Sequence, residues 1–139
     1  MGVEGTYEQA YVDACRARSE TQVAVFRWAR YGVDAQEDAR FDDLESEYFN
    51  NMLLVLDGYF AQRDPRREGP GTRALAEARG LARALVLNGG TVLDDSSEGG
   101  PDSTILGYRP GDPVRLTSDQ YARLSNTFFT EIERHFVEH

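Results

Sequence analysis

The segment formed by residues 42–63 constrains the fold of this chain more than any other part of the sequence. Its spacing predicts one helix of about six turns at about 3.6 residues per turn. Its apolar residues form two adjacent rows, Leu44, Tyr48, Met52, Val55 and Tyr59 in the first and Phe49, Leu53, Leu56 and Phe60 in the second. A helix that is apolar over so wide an arc needs other elements on most of its sides. The segment therefore predicts the central helix of a packed bundle.

Three further regions have the spacing of helices. Residues 6–31 predict either one helix or two helices with a break near Ser19, because Thr6 with Gln9 and Ser19 with Gln22 both fit a capping box. One face of this region carries Tyr7, Tyr11, Ala14, Arg18, Val25 and Trp28. Residues 72–88 and 117–136 each show an apolar stripe at helical spacing. We therefore expect a mainly α fold, a bundle of four to five helices.

A small β insert is predicted before the last helix, over about residues 91–116. Residues 91–93 and 104–106 are short β-prone runs on either side of an acidic polar stretch, DDSSEGGPDS. This pattern predicts a β-hairpin, to which residues 114–116 add a third short strand. The length of 139 residues fits one domain, so residues 1–139 are expected to form a single helical domain that contains this insert.

The composition is that of a soluble globular protein, with 40% hydrophobic and 11% aromatic residues. Every apolar run is far shorter than the ~20 residues of a membrane-spanning helix. The first residues, MGVEGTYEQA, lack the basic region and apolar core of a secretory signal. We therefore expect a cytoplasmic protein.

Charge and residue usage exclude several functions. The formal net charge of −9 disfavours binding to nucleic acid or to an anionic membrane, because both depend on positive charge. All 15 basic residues are arginine, so lysine Schiff-base and pyridoxal-phosphate chemistry and the usual phosphate-binding loop are excluded. Cys15 is the only cysteine, so no intrachain disulfide forms, and a structural role is favoured for it.

Several runs of the chain resemble a known family. The segments EYFNNMLLVLDGYFAQR, ALVLNGG, GDPVRLT and YARLSNTFFTEIERHF are similar to a family of small, soluble bacterial proteins of unknown function. The resemblance covers about residues 47–136 and rests mostly on core and turn patterns. It implies a bacterial, soluble, single-domain protein, and it implies no catalytic residue, cofactor or partner.

Asp57 is the most unusual polar residue, because it lies inside the apolar run LLVLDGYF. Asn50 precedes it by two turns and falls on the same side of the helix. One interpretation is a ligand pocket in which burial raises the pKa of Asp57. The favoured interpretation is a buried ion pair with Arg79 or Arg83 of a neighbouring helix, which fixes the helix register. The candidate ligand-binding residues are therefore Asn50, Asn51, Asp57, Arg79 and Arg83.

The sequence predicts no metal site, cofactor or catalytic residue. Glu131, His135 and His139 share one helix face, where carboxylate and imidazole groups can bind a metal ion. However, His135 lies close to the apolar stripe and His139 is the last residue, so we assign no metal to this face.

Two functional hypotheses remain. The first is a non-enzymatic helical domain that acts through a protein partner or as a homodimer, because Tyr7, Tyr11 and Trp28 exceed what one core can bury. The alternative is a small-molecule-binding protein or enzyme with a pocket between helices around Asp57.

Overall fold

The computed structural model describes residues 4–93 and 104–138. In these residues the chain forms four α-helices, α1 (Gln9–Arg30), α2 (Ala35–Tyr59), α3 (Arg73–Leu87) and α4 (Ser118–Phe136). Two short 3-10 turns, Pro65–Arg67 and Pro70–Thr72, connect α2 to α3. The described residues share one hydrophobic core. The predicted helical bundle is confirmed.

The centre of the bundle is shared by α2 and α4, each of which packs against all the other helices. The larger buried set belongs to α4, with Tyr121, Leu124, Ser125, Phe128, Phe129, Glu131, Ile132 and Phe136. In α2 the second predicted row is buried, whereas Leu44 and Val55 of the first row are about half exposed. In the first row Met52 is buried and Tyr48 and Tyr59 pack against the core, so the expectation that α2 is covered on most sides fails only at Leu44 and Val55.

The predicted start of α2 is wrong, and of the two alternatives for residues 6–31 the structure has the single helix. α2 begins at Ala35 rather than at residue 42, because the Asp34 side chain accepts a hydrogen bond from the Glu37 amide at 2.8 Å and caps the helix there. α1 is continuous through Ser19, whose hydroxyl is buried and lies 2.7 Å from the Tyr121 hydroxyl. Its N-cap is Glu8, without a side-chain cap, so the capping boxes predicted for this region are also wrong.

The β-hairpin predicted between residues 91–93 and 104–106 is not seen, and the described residues form no β-strand. Val92 instead exchanges backbone hydrogen bonds with Asp112 (2.8 Å) and Gly111 (2.9 Å). The amides of Ile105 and Leu106 donate to the Glu77 carboxylate of α3, at 2.7 and 3.0 Å, so they are not available to a strand partner. The predicted hairpin tip, residues 94–103, lies outside the described residues, as does His139.

Near its beginning, the described chain is tied to two later segments. The Tyr7 amide donates to the Phe136 carbonyl at 2.7 Å, and the Glu138 amide donates to the Tyr7 carbonyl at 3.0 Å. The Asp64 amide donates to the Gly5 carbonyl at 3.0 Å. Gly5 has φ +83°, and a Cβ there would lie 2.6 Å from the Asp64 nitrogen, so this close approach requires glycine.

Candidate functional site

The polar residues predicted to bind a ligand do not all meet in one place. The Asn50 side chain donates to the Val114 carbonyl at 2.9 Å and accepts from the Leu116 amide at 3.2 Å, so it holds the segment before α4. Asn51 and Arg83 are exposed. Of the predicted set, the structure brings together only Asp57 and Arg79.

Asp57 and Arg79 belong to a charged group around the buried Arg63 side chain, which also contains the half-buried Glu68. We call these four residues the Arg63 cluster. The Arg63 side chain is fully buried, and its Nε donates to Glu68 Oε1 at 3.2 Å. Its Nη1 donates to the Phe60 carbonyl at 3.2 Å. Glu68 Oε2 also lies 3.6 Å from Arg79 Nη1. The cluster thus fastens the loop after α2 to α3.

Asp57 is the unsatisfied member of the Arg63 cluster. Its Oδ1 atom is buried without a hydrogen-bond partner. Burial raises the pKa of Asp57, and the positive charges of Arg63 and Arg79 offset that shift only in part. The predicted ion pair of Asp57 with Arg79 or Arg83 is not among the ion pairs of the described residues, since Arg79 pairs with Glu68 instead. Sequence reasoning missed Arg63 and Glu68, because it placed Arg63 at the end of the predicted helix 42–63 and Glu68 lies beyond that helix.

The other buried carboxylates serve the fold. Glu131 of α4 accepts hydrogen bonds from the amides of Ala74 (3.2 Å) and Leu75 (3.1 Å) and so satisfies donors at the start of α3. Burial raises the pKa of Glu131, and these two amides offset part of the shift. In the part of the chain that the structure describes, no group of three or more His, Cys, Asp and Glu side chains is placed to hold a metal ion.

The outward side of α1 carries a continuous row of small and aromatic side chains, which we call the outer seam. Successive members are alternately four and three residues apart, which is the spacing of a coiled-coil contact face. All are exposed, Trp28 at 80% and Tyr31 at 88%. The outer seam consists of Ala10, Ala14, Ala17, Thr21, Ala24, Trp28 and Tyr31. The sequence analysis did not recognise the outer seam. The alternating spacing of four and three residues is the sequence signal that identifies it.

The opposite side of α1 faces the core. It buries Val12, Cys15, Ser19, Val23 and Phe26. The apolar face that the sequence predicts for this helix, with Tyr11, Val25 and Trp28, instead points largely to solvent. Burial raises the pKa of the Cys15 thiol, in keeping with the structural role predicted for it.

The aromatic end of the outer seam lies at the corner between α1 and α2. Gly32 turns the chain there with φ +79°. Arg30 links the two helices, since its guanidinium donates to Asp38 at 2.7 Å, pairs with Asp42 and lies 3.6 Å from Glu45. The hydrogen bonds to Asp38 and Asp42 raise the pKa of Arg30. The ion pairs of Arg30 therefore fix the corner of the chain at which Trp28 and Tyr31 lie.

An open groove of about 470 Å³ runs beside the outer seam, between α1 and α4. Its lining contains no member of the Arg63 cluster and consists of Glu20, Val23, Ala24, Arg27, Ala122, Ser125 and Asn126. Because Ala24 belongs to both features, the groove extends the exposed surface of the seam towards α4.

Comparison of the chain with protein-family models, curated proteins and solved structures finds no significant match. The resemblance to small bacterial proteins therefore stays a prediction. None of the helices in the described residues combines the length and the hydrophobicity that crossing a bilayer requires. Two features of the described residues bear on function, the Arg63 cluster and the outer seam.

Proposed function

We propose that this protein is a non-enzymatic helical domain that acts by binding another protein through the outer seam of α1. The observation that carries this proposal is the exposure of Trp28 and Tyr31 at the end of a continuous row of exposed small residues. Contiguous exposed apolar surface on a soluble protein is typical of interaction sites. Tryptophan and tyrosine are also the residues that most often dominate binding energy at interfaces.

The backbone geometry of the seam suits a helical partner. Because the side chains of Ala10, Ala14 and Ala17 are small, another helix can approach the α1 backbone closely. α1 is held to the core by its buried face, and its aromatic end is fixed by Arg30. A preorganised surface of this kind loses little conformational entropy on binding.

The resemblance and the charge support the proposed setting. We propose a bacterial, cytoplasmic protein that belongs with the small proteins of unknown function that it resembles. A net charge of −9 supports a protein partner rather than nucleic acid or an anionic membrane.

Site-specific photo-crosslinking in the cells of origin tests the proposal. A photoreactive residue placed at Trp28 should give a discrete protein adduct. The control position is Val86, which is 65% exposed on α3 and lies outside the seam. The absence of an adduct at position 28, or equal adducts at both positions, would contradict binding through the outer seam.

One observation favours the alternative, a small-molecule-binding protein with its site at Asp57. The buried, unpartnered Oδ1 of Asp57 is an acceptor that a ligand amine or hydroxyl would satisfy. A thermal-shift screen with metabolites tests this, because a ligand that binds the folded state alone raises the midpoint. The alternative expects a compound that raises the midpoint of the wild type and not of Asp57→Asn. A screen in which no compound separates the two proteins counts against it.

A further inference from the structure

We propose that the partner of the outer seam is a second copy of this chain, with the two α1 helices packed antiparallel about a two-fold axis. This inference rests on the proposed function and specifies its partner. A two-fold contact uses the same surface on both copies, so the surface must be complementary to itself. The outer seam meets that requirement in shape and in charge.

The shape of the seam is asymmetric along α1. Its first half carries alanines, whereas its end carries two large aromatic side chains. In one antiparallel register, Trp28 of one copy lies opposite Ala17 of the second copy, and Tyr31 lies opposite Ala14. Thr21 then lies opposite Ala24. Each large side chain meets a small one in both halves of the contact. A parallel arrangement would instead place Trp28 against Trp28 and alanine against alanine.

The charges on one flank of the seam fit the same register. Glu20 and Arg27 are seven residues apart and lie on the flank that faces the groove. In the antiparallel register, Glu20 of each copy lies beside Arg27 of the other, so two opposite-charge pairs form. Within one chain, Arg27 already donates to the exposed Asp119 at 2.7 Å, which keeps its guanidinium on this flank.

The other flank adds apolar cover. Val25, which is 54% exposed, lies beside Arg18 of the second copy in this register. The Arg18 guanidinium lies 5.8 Å from the centre of the Tyr59 ring of its own chain. The charge of Arg18 is therefore directed away from the seam, and its methylene groups are available to cover Val25.

The size of the contact sets the expected strength. α1 has 22 residues and is about 33 Å long, with a width of about 10 Å. Such a strip is smaller than the roughly 800 Å² per partner of a standard stable interface. We therefore expect a dimer that forms and dissociates with protein concentration.

Charge reversal at Glu20 and Arg27 tests both the partner and the register. Glu20→Arg and Arg27→Glu should each weaken self-association of the full chain by about ten-fold, since each turns both pairs repulsive. An equimolar mixture of the two variants should form a heterodimer, because both opposite-charge pairs are then restored. The double variant should self-associate like the wild type. Sedimentation equilibrium at low ionic strength measures all four samples, and thermal unfolding checks that each variant folds.

The outcomes separate this inference from the proposed function. Rescue in the mixture and in the double variant supports the antiparallel dimer, because general damage to the fold would not be rescued by mixing. Single variants that associate like the wild type, or a mixture without rescue, overturn it. A wild type that stays monomeric at every concentration also overturns it. If the residue-28 adduct then contains a different protein, binding through the seam still stands; if there is no adduct, both proposals fail.

Discussion

The inner and outer faces of α1 carry similar aromatic side chains in opposite surroundings. Phe26 is 4% exposed and packs against the rings of Phe41, Tyr48 and Phe49. Trp28 follows two residues later and is 80% exposed. Both faces are apolar enough to be buried, so hydrophobicity alone does not identify the core face. The packing of the neighbouring helices determines which face of α1 is buried, and the face that they leave uncovered is available to a partner.

Polar side chains show the same contrast. The buried hydroxyl of Ser19 lies 2.7 Å from the hydroxyl of Tyr121, whereas Thr21 on the outer seam is exposed. Burial raises the pKa of Tyr121 to about 12, because the surrounding apolar groups disfavour the charged phenolate. The inner face thus uses its polar groups for the fold, and we propose that the outer face is kept for binding.

The largest effect is expected at the inner aromatic residue. Phe26→Ala should lower the free energy of unfolding by about 3–5 kcal/mol, because it leaves a cavity among three rings. Urea denaturation followed by circular dichroism measures this loss. A loss below about 1 kcal/mol would show that the inner face of α1 is not tightly packed.

A smaller loss is expected at the buried hydroxyl pair. Ser19→Ala should cost about 1–3 kcal/mol, because the Tyr121 hydroxyl loses its buried partner. The matched control, Thr21→Ala, lies on the outer seam and should leave the stability of the monomer nearly unchanged. Equal effects of the two substitutions would remove the distinction between the faces.

Asp57→Asn should change stability by less, within about 1 kcal/mol, and in the opposite direction. Because burial raises the pKa of Asp57, the folded chain binds this proton more tightly than the unfolded chain does. That contribution to stability is fully present below the usual pKa of aspartate and is lost as pH rises through the raised value. The variant should therefore be more stable than the wild type at neutral pH, with a difference that shrinks on acidification.

Thermal unfolding across pH checks this expectation. Glu131→Gln is the control. Each carboxylate oxygen of Glu131 accepts a hydrogen bond from one backbone amide, and glutamine replaces one of these oxygens with an NH2 donor, so this variant should be less stable. A less stable Asp57→Asn at neutral pH would mean that the ionised Asp57 has a partner that stabilises it.

The smallest effect on stability is expected at the outer aromatic residue. Trp28→Ala should change the free energy of unfolding of the monomer by no more than about 0.5 kcal/mol, because the side chain makes few contacts within its own chain. Denaturation at low protein concentration, where dimers dissociate, isolates this value. A loss as large as that of Phe26→Ala would show that Trp28 belongs to the core.

The sequence predicts best those features that depend on a few neighbouring residues. α4 begins at a capping box formed by Thr117 and Gln120, a motif that can be recognised in the sequence. α3 ends beside Gly89 and Gly90, which adopt φ +62° and +85°. Such signals act within one or two turns of the chain, so they can be recognised without knowing the tertiary structure.

Features that depend on distant residues were not predictable in the same way. The prediction of a β-hairpin failed because the amides of Ile105 and Leu106 donate hydrogen bonds to the Glu77 carboxylate of α3. The surroundings of Asp57 depend on Arg63 and Glu68, which lie beyond the end of its helix. For α1, periodicity identified an apolar face, but only the packing of α2 and α4 shows which of its two faces is buried.

The most direct test of association through the outer seam is the self-association of Trp28→Glu, measured by sedimentation velocity beside the wild type. Val86→Glu is the matched control, since it adds the same charge at an exposed apolar position outside the seam. We expect the wild type and Val86→Glu to dimerise with rising concentration, and Trp28→Glu to remain a folded monomer. A Trp28→Glu chain that dimerises as readily as the wild type, or a wild type that never dimerises, would contradict a dimer formed through the outer seam.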